Sequence, residues 1–166
     1  DLLLADGIVL DGTGREGFAG SVAVTADRIV AVGNVRDMKA TTVIDCRGKV
    51  ISPGFIDMHS HADWVVPQAE HGTVLAPLLE QGITTVVGGN CGCSPAPYGG
   101  TNRDLLPLIG LMLHDRSLDY DWTGVGSYLA ALEERGLALN VALLAGHGTI
   151  RAAVMGFSPE KANPEQ

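Results

Sequence analysis

The stretch ISPGFIDMHSHADW, residues 51–64, decides how the chain folds, because an apolar run ends there in two histidines one residue apart. Such a run is typical of a strand that is buried on both faces of a parallel sheet. Side chains alternate between the faces of a strand, so four odd-numbered polar residues share one face if the strand continues through them. These residues are Asp57, His59, His61 and Asp63. Two imidazoles at a strand end can converge on one metal ion, and imidazole is a good zinc ligand; the alternative is two polar residues in a surface loop.

Strands and helices alternate after residue 50, which predicts a parallel sheet with helical connections. The runs ITTVVGG and LALNVALLAG are predicted to be the second and third buried strands. The segment TVLAPLLEQG predicts a helix with Thr73 as its N-cap, Pro77 in its first turn and Gly82 just past its end. Further helices are predicted over 103–113, over GVGSYLAALEERG between a Thr123 cap and Gly136, and near residue 159.

Residues 1–49 show a different pattern, with short alternating runs separated by turns that contain glycine. Alternation is clear in SVAVT and in RIVAVG, which predicts strands. Turns are predicted at Asp6-Gly7 and Asp11-Gly12. Closely spaced short strands indicate a small sandwich or a stack of hairpins. We therefore predict a β-rich piece over 1–49 and an α/β piece over 50–166.

Two further strand ends carry side chains that can bind metal. Cys91 follows the second strand in VVGGNCGCSPAP. Thiolate is a strong zinc ligand. The alternative is a small buried apolar residue, which is what a free cysteine more often is. His147 follows the third strand in LLAGHGTIR. Parallel strands end at one edge of a sheet, so we expect both residues beside His59 and His61. Cys93 is interpreted as a packing residue.

The remaining candidates have weaker signals. Asp57 and Asp63 are candidates for partners that orient the imidazoles. Arg151 can anchor an anionic substrate group or simply begin a helix in solvent. His71 and His114 do not directly follow predicted strands, and both are interpreted as surface or packed residues.

The composition indicates which partners and which cellular compartment to expect. The formal net charge is −8 and the pI about 4.9, whereas phosphate binding needs clustered lysine and arginine, so no nucleic-acid partner is expected. No run approaches the roughly 18 apolar residues of a membrane span, and the N-terminal residues lack the basic segment of a signal peptide. Three cysteines do not indicate a disulfide framework, and a reducing cytoplasm is the expected compartment.

The segment PGFIDMHSH, residues 53–61, together with DGTG and DRIVAVG nearer the N-terminus, resembles the amidohydrolase superfamily. The segments GITTVVGGNCGCSPAP and NVALLAGHGTIR more narrowly resemble the N-acyl-D-amino-acid deacylases, or D-aminoacylases. The resemblance covers essentially the whole chain. Asn90-Cys91-Gly92 is its most specific part.

The resemblance implies a partial (β/α)8 barrel of about three βα units, preceded by part of a small β-sandwich. It implies that His59 and His61 are metal ligands, and that Cys91 binds zinc where many relatives use a carboxylated lysine. One or two zinc ions would activate water to attack the amide of an N-acyl-D-amino acid. The expected products are a carboxylate and a free D-amino acid, with an aspartate on a late strand as general base.

The chain is shorter than the about 250 residues that a complete barrel needs. We therefore expect it to be an N-terminal part of an enzyme, with the catalytic aspartate beyond Gln166, and to be inactive in isolation. Measurable deacylation by the isolated chain would contradict this expectation.

Three alternatives stay open at this point. A dihydroorotase-like or hydantoinase-like amidohydrolase would act on cyclic amides, but such enzymes use a carboxylated lysine. A non-catalytic barrel homologue would act as an assembly scaffold, although such relatives typically lose their metal ligands. A stand-alone β/α binding module would have to fold cooperatively as a monomer. The sequence indicates neither the preferred side chain nor the oligomeric state.

Overall fold

The chain divides into two compact units. The computed structural model describes residues 1–98, 103–110 and 113–166. The units are Asp1–Pro53 and Gly54–Gln166, a division that falls close to the predicted boundary. The assignment of the two units to a β-sandwich and a barrel stays a prediction.

The first unit is a sheet of short strands, as its alternating runs predict. The strands are β1 (Leu2–Val9), β2 (Phe18–Thr25), β3 (Arg28–Gly33), β4 (Thr42–Asp45) and β5 (Val50–Ile51). In this five-stranded sheet the order is β3-β2-β1-β4, and β5 also pairs with β1. Strand β1 is antiparallel to β2 and parallel to β4 and β5.

The predicted turn at Asp6-Gly7 is wrong, because these residues form a bulge inside β1. The register of β1 against β2 shifts between Leu4 and Gly7, and Asp6 has a positive φ of 60°. The Asp6 N–H donates to the Ser21 hydroxyl at 3.0 Å. The irregular backbone therefore keeps a hydrogen-bond partner. The run LLLAD and the first residues of GIVLDG thus join in one strand, which ends at Val9.

Strands and helices alternate in the second unit, as predicted. Its elements are β6 (Phe55–Asp57), α1 (His71–Val74), α2 (Ala76–Glu80), β7 (Ile83–Gly88), α3 (Leu106–Gly110), α4 (Val125–Arg135), β8 (Asn140–Leu143) and α5 (His147–Met155). Within the described residues, the strands form a parallel sheet in the order β6-β7-β8. The carboxyl ends of all three strands therefore lie at one edge, and the fold is mixed α/β.

The first apolar run is divided between the two sheets, since β5 pairs with β1 and β6 pairs with β7. Pro53 separates the two segments because it has no N–H to donate to a ladder. The prediction of a strand buried on both faces is wrong for β6, whose Phe55 and Ile56 are 61% and 58% exposed. Strands β6 and β8 are the edges of the described sheet, and β8 is also only partly buried.

The helical segment before β7 starts earlier than predicted and is interrupted. Thr73 lies inside α1 rather than at its cap, and Leu75 separates α1 from α2. Pro77 lies in the first turn of α2, as predicted. Gly82 follows α2 with a φ of 82°, a conformation that glycine adopts without strain, so the predicted end is confirmed.

The N-cap of helix α4 is Gly124 rather than the predicted Thr123. The Gly124 N–H donates to the Ser127 hydroxyl at 3.1 Å and that hydroxyl donates to the Gly124 carbonyl at 2.8 Å, so Ser127 satisfies the backbone of the cap residue. Gly136 ends the helix, as predicted.

The last helix, α5, begins directly after β8 and not near residue 159. Gly146 and Gly148 lower the helix propensity at its start, which hid it in the sequence. Helix α3 confirms part of the helix predicted over 103–113. Residues 111–112 of that prediction lie outside the described residues. Across the described part of the chain, no helix has the length and apolar character to cross a membrane.

The core of the second unit forms where α4 and the turn after β6 meet β7. Val86 of β7 and Tyr128 of α4 are completely buried, and Leu132 is almost so. Trp64, in the 3₁₀ turn Ala62–Trp64, packs with aromatic residues in an adjoining cluster. This packing fixes the turn that follows the two histidines.

Candidate metal centre

Side chains that follow two neighbouring strands meet at the carboxyl edge of the second sheet. His59 and His61 follow β6, and Cys91 follows β7. One ligand atom from each of these residues lies within 4.8 Å of the other two. His59 Nε2 lies 3.3 Å from Cys91 Sγ, and the two imidazole rings are edge to face with centroids 6.0 Å apart. The sequence predicted that these three residues meet at the strand ends and placed His147 beside them, but His147 is not in the cluster.

The two histidines do not lie on a continued strand, because β6 ends at Asp57. They converge because Ser60, between them, binds the end of β7. The Ser60 N–H donates to the Val87 carbonyl at 3.0 Å, and the Ser60 hydroxyl accepts the Ala62 N–H at 3.1 Å. A tight turn rather than strand alternation therefore presents both rings.

The loop that carries Cys91 has an unusual backbone. Gly89 and Cys91 have positive φ angles of 74° and 56°. Positive φ is uncommon for a residue with a side chain and marks local strain that the surroundings must support. Part of that support is the Asn90 side chain, whose Nδ2 donates to the Val87 carbonyl at 2.7 Å and to the Ser60 carbonyl at 3.4 Å. Asn90 thus joins the histidine turn to the cysteine loop.

The far side of the cysteine loop is anchored on the start of α5. The Ser94 N–H donates to the Thr149 hydroxyl and that hydroxyl donates to the Ser94 carbonyl, both at 2.9 Å. The Gly146 N–H donates to the Ser94 hydroxyl at 3.0 Å. Ser94 and Thr149 are fully buried. Sequence reasoning missed both residues, since a lone serine or threonine between glycines and prolines resembles ordinary loop composition.

Replacing Thr149 with valine is expected to destabilise the protein by about 1–3 kcal/mol, because it leaves the buried Ser94 N–H without its acceptor. Chemical denaturation followed by circular dichroism measures the change. The matched control is Thr41→Val at an exposed position, where we expect a change within about 0.5 kcal/mol. Equal effects at the two positions would show that the Ser94 anchor does not stabilise the loop.

The two aspartates beside the histidines contact backbone groups. Asp57 Oδ1 accepts the His59 N–H at 3.1 Å. Asp63 is fully buried, and its Oδ2 accepts the Gly89 N–H at 2.8 Å. Burial raises the pKa of Asp63 to about 6, against the opposing effect of the Gly89 hydrogen bond. Their predicted role in orienting the imidazoles stays a prediction.

His147 and Arg151 lie on α5 outside the three-residue cluster. His147 is the exposed first residue of the helix. Arg151 lies in mid-helix, and its guanidinium donates to the carbonyl oxygens of Ser158 at 2.8 Å and Glu160 at 2.6 Å. These contacts fix the segment after α5 and occupy donors that a substrate anion would need. A role for either residue in substrate binding stays a prediction.

The other histidines and Cys93 have packing contacts. His71 is buried, with Nδ1 2.9 Å from the Gln68 carbonyl and Nε2 accepting the Ala138 N–H at 3.3 Å. His114 stacks on Tyr120 with ring centroids 4.6 Å apart. Cys93 is partly buried, and burial raises the pKa of its thiol.

The donor set of the cluster fits zinc. Two imidazoles and one thiolate are ligands that zinc prefers, and three protein ligands are typical of catalytic sites. Usual Zn–N and Zn–S lengths place nitrogen and sulfur about 3.6 Å apart around a tetrahedral ion, close to the observed 3.3 Å between His59 Nε2 and Cys91 Sγ. All three side chains are at least partly exposed, so a substrate has access to them.

Comparison with known proteins identifies the family to which the chain belongs. A family model described as the amidohydrolase family matches residues 42–165. The D-aminoacylase of Alcaligenes xylosoxydans xylosoxydans is 40% identical over 166 residues, which are 100% of this chain and 33% of that protein. The chain thus spans about a third of the length of this relative.

Solved structures show the same relationship. A structure of D-aminoacylase, studied for the role of its binuclear metal centre, superposes with a TM-score of 0.82 and is 38% identical, covering 99% of this chain and 33% of that one. The N-acyl-D-glutamate deacylase of Bordetella bronchiseptica, complexed with zinc and a phosphonate inhibitor, has a TM-score of 0.74 and 36% identity, covering 93% and 31%. The predicted resemblance to D-aminoacylases is confirmed.

Proposed function

The chain belongs to the amidohydrolase family, and we propose that it provides zinc ligands for the hydrolysis of N-acyl-D-amino acids to a carboxylate and a free D-amino acid. The observation that carries the proposal is the cluster of His59, His61 and Cys91 at one edge of a parallel sheet. The similarity to D-aminoacylase and to a zinc-complexed deacylase supports the choice of ion and substrate class.

The architecture supports a finer proposal for the fold. Strands β6, β7 and β8 are parallel neighbours in chain order with helices between them, which is the arrangement of successive units in a (β/α)8 barrel. Sites in such barrels lie at the carboxyl ends of the strands, where the cluster is found. We infer that the second unit is the first part of a barrel and that the first unit is part of a small β-sandwich.

The chemistry divides between the ion and the protein. Zinc, when bound, would lower the pKa of a water molecule and polarise the scissile amide carbonyl. His59 and His61 would hold the ion as neutral donors, and the Cys91 thiolate would offset one of its charges. The Ser60 and Asn90 hydrogen bonds would keep the three donors together without reorganisation on binding. A cytoplasmic location stays a prediction.

The test of this function is release of free amino acid by the full-length protein with zinc. The substrates are matched pairs of N-acetyl-D and N-acetyl-L methionine, glutamate and aspartate. We expect release from at least one D substrate and little from its L partner. Release from neither enantiomer would contradict the proposal, and hydrolysis of cyclic amides would then be tested.

A second prediction concerns the effect of removing the metal on activity. Dialysis against a chelator is expected to lower kcat by at least about 100-fold, because activation of water and carbonyl by zinc contributes several kcal/mol. Addition of zinc should restore the activity, while magnesium should not, because magnesium prefers oxygen ligands. Full activity in protein shown by elemental analysis to be free of metal would contradict the assignment.

A further inference from the structure

Asp63 has a carboxylate that the proposed chemistry does not use. The residue is completely buried, and its Oδ2 accepts the N–H of Gly89, 26 residues further along the chain, at 2.8 Å. Among the described residues, the other oxygen, Oδ1, is buried without a hydrogen-bond partner. Burying a carboxylate with so few partners is unfavourable, so simple packing does not account for this side chain.

The backbone on the other side of this hydrogen bond has little freedom. A Cβ on Gly88 would lie 2.5 Å from the Asp63 Cβ, and one on Gly89 would lie 1.8 Å from the Leu144 carbonyl oxygen. The Leu144 N–H in turn donates to the Gly88 carbonyl at 3.0 Å. Gly89 is therefore held between Asp63 and the segment that follows β8.

The backbone of Asp63 is itself fixed. The hydroxyl of Tyr128, a fully buried residue of α4, donates to the Asp63 carbonyl at 2.6 Å. Trp64, the next residue, is almost completely buried. Asp63 is thus attached to the core on one side and holds Gly89 on the other.

We propose that Asp63 is a positioning residue that sets the distance between the histidines and Cys91 by holding the backbone of Gly89. Asp63 lies two positions after His61 in the chain, and Cys91 lies two positions after Gly89. The hydrogen bond thus links the two ligand-bearing segments in addition to the Asn90–Ser60 contact, and it acts through the backbone rather than through an imidazole. The proposal rests on the proposed function for the identity of the ion, but the loop geometry stands without it.

Two variants separate the hydrogen bond from general packing. Asp63→Asn keeps an oxygen that can accept the Gly89 N–H, whereas Asp63→Ala removes it. Asp121→Ala, at an exposed position of the same unit, is the matched control. The first measurement is hydrogen exchange over residues 86–94 in metal-free full-length protein. The second is the affinity for cobalt and the near-ultraviolet band of a thiolate bound to cobalt.

We expect Asp63→Ala to speed exchange in this segment and to weaken cobalt binding, each by at least about 10-fold, with a smaller thiolate band. Asp63→Asn should stay within about 3-fold of the wild type in both measurements, and Asp121→Ala should not differ from it. A role confined to stability would lower the melting temperature of Asp63→Ala but leave the cobalt band of the folded protein unchanged.

Three results would overturn the proposal. One is a folded Asp63→Ala protein with wild-type exchange and cobalt binding. Another is rapid exchange of the Gly89 segment in the wild type itself, which decides the matter even if Asp63→Ala does not fold. The third is a folded Asp63→Asn protein that has lost the thiolate band. Absence of cobalt binding in the wild type would instead contradict the metal centre, and the exchange comparison would still test the positioning role.

Discussion

Replacing Cys91 with alanine is expected to lower kcat/KM for the preferred N-acetyl-D-amino acid by at least about 1,000-fold in the full-length protein. The variant removes one of three clustered donors, and the loss corresponds to about 4 kcal/mol of the stabilisation that a bound ion supplies. Steady-state kinetics and zinc content measured on the same preparation check the prediction.

Cys93→Ala is the matched control, because it removes a thiol two residues away that lies outside the cluster. We expect this variant to keep kcat/KM within about 3-fold of the wild type, because the Cys93 thiol is not one of the clustered donors and makes only a weak hydrogen bond to the Cys91 carbonyl, at 3.5 Å. The assignment would be wrong if both cysteine variants lost activity equally or if Cys91→Ala retained full activity and zinc.

The second large effect is expected at Gly89. Gly89→Ala should destabilise the protein by more than about 3 kcal/mol, because the methyl group would meet the Leu144 carbonyl and alanine would be forced to a positive φ. Relief of this clash would move the Cys91 loop, so zinc affinity should fall as well. Denaturant unfolding and zinc titration measure the two changes.

Gly136→Ala separates the clash from the backbone strain. Gly136 also has a positive φ, of 79°, but a Cβ there meets no atom within 4 Å. We expect this control to lose only about 1 kcal/mol and no zinc affinity. A Gly89 variant no worse than the Gly136 variant would show that the close approach of Leu144 does not constrain the loop.

The strand ends were the part of the site that the sequence could predict. His59, His61 and Cys91 each follow an apolar run, and parallel strands end at one edge, so chain order predicts that they lie near one another, although it also placed His147 there. What holds them together could not be predicted. Ser60 binds the Val87 carbonyl and Asp63 binds the Gly89 N–H, each at least 26 positions away, and nothing in the local pattern marks a serine or an aspartate as the partner of a distant backbone group.

The wrong predictions about the fold have physical causes of the same kind. The run that includes Pro53 was predicted as one strand, because hydropathy does not distinguish two short strands in different sheets from one long strand. Helix α5 was missed because Gly146 and Gly148 lower local helix propensity, whereas the hydrogen bonds that Ser94 forms with Gly146 and Thr149 fix its start. Tertiary contacts decided both cases.

Zinc-edge X-ray absorption on the full-length protein tests most directly whether a cysteine thiolate and two imidazoles hold one zinc ion. We predict one sulfur neighbour at about 2.3 Å with nitrogen or oxygen neighbours at about 2.0–2.1 Å, and loss of the sulfur signal in Cys91→Ser. A wild-type spectrum with nitrogen and oxygen neighbours alone, at full zinc occupancy, would contradict the account.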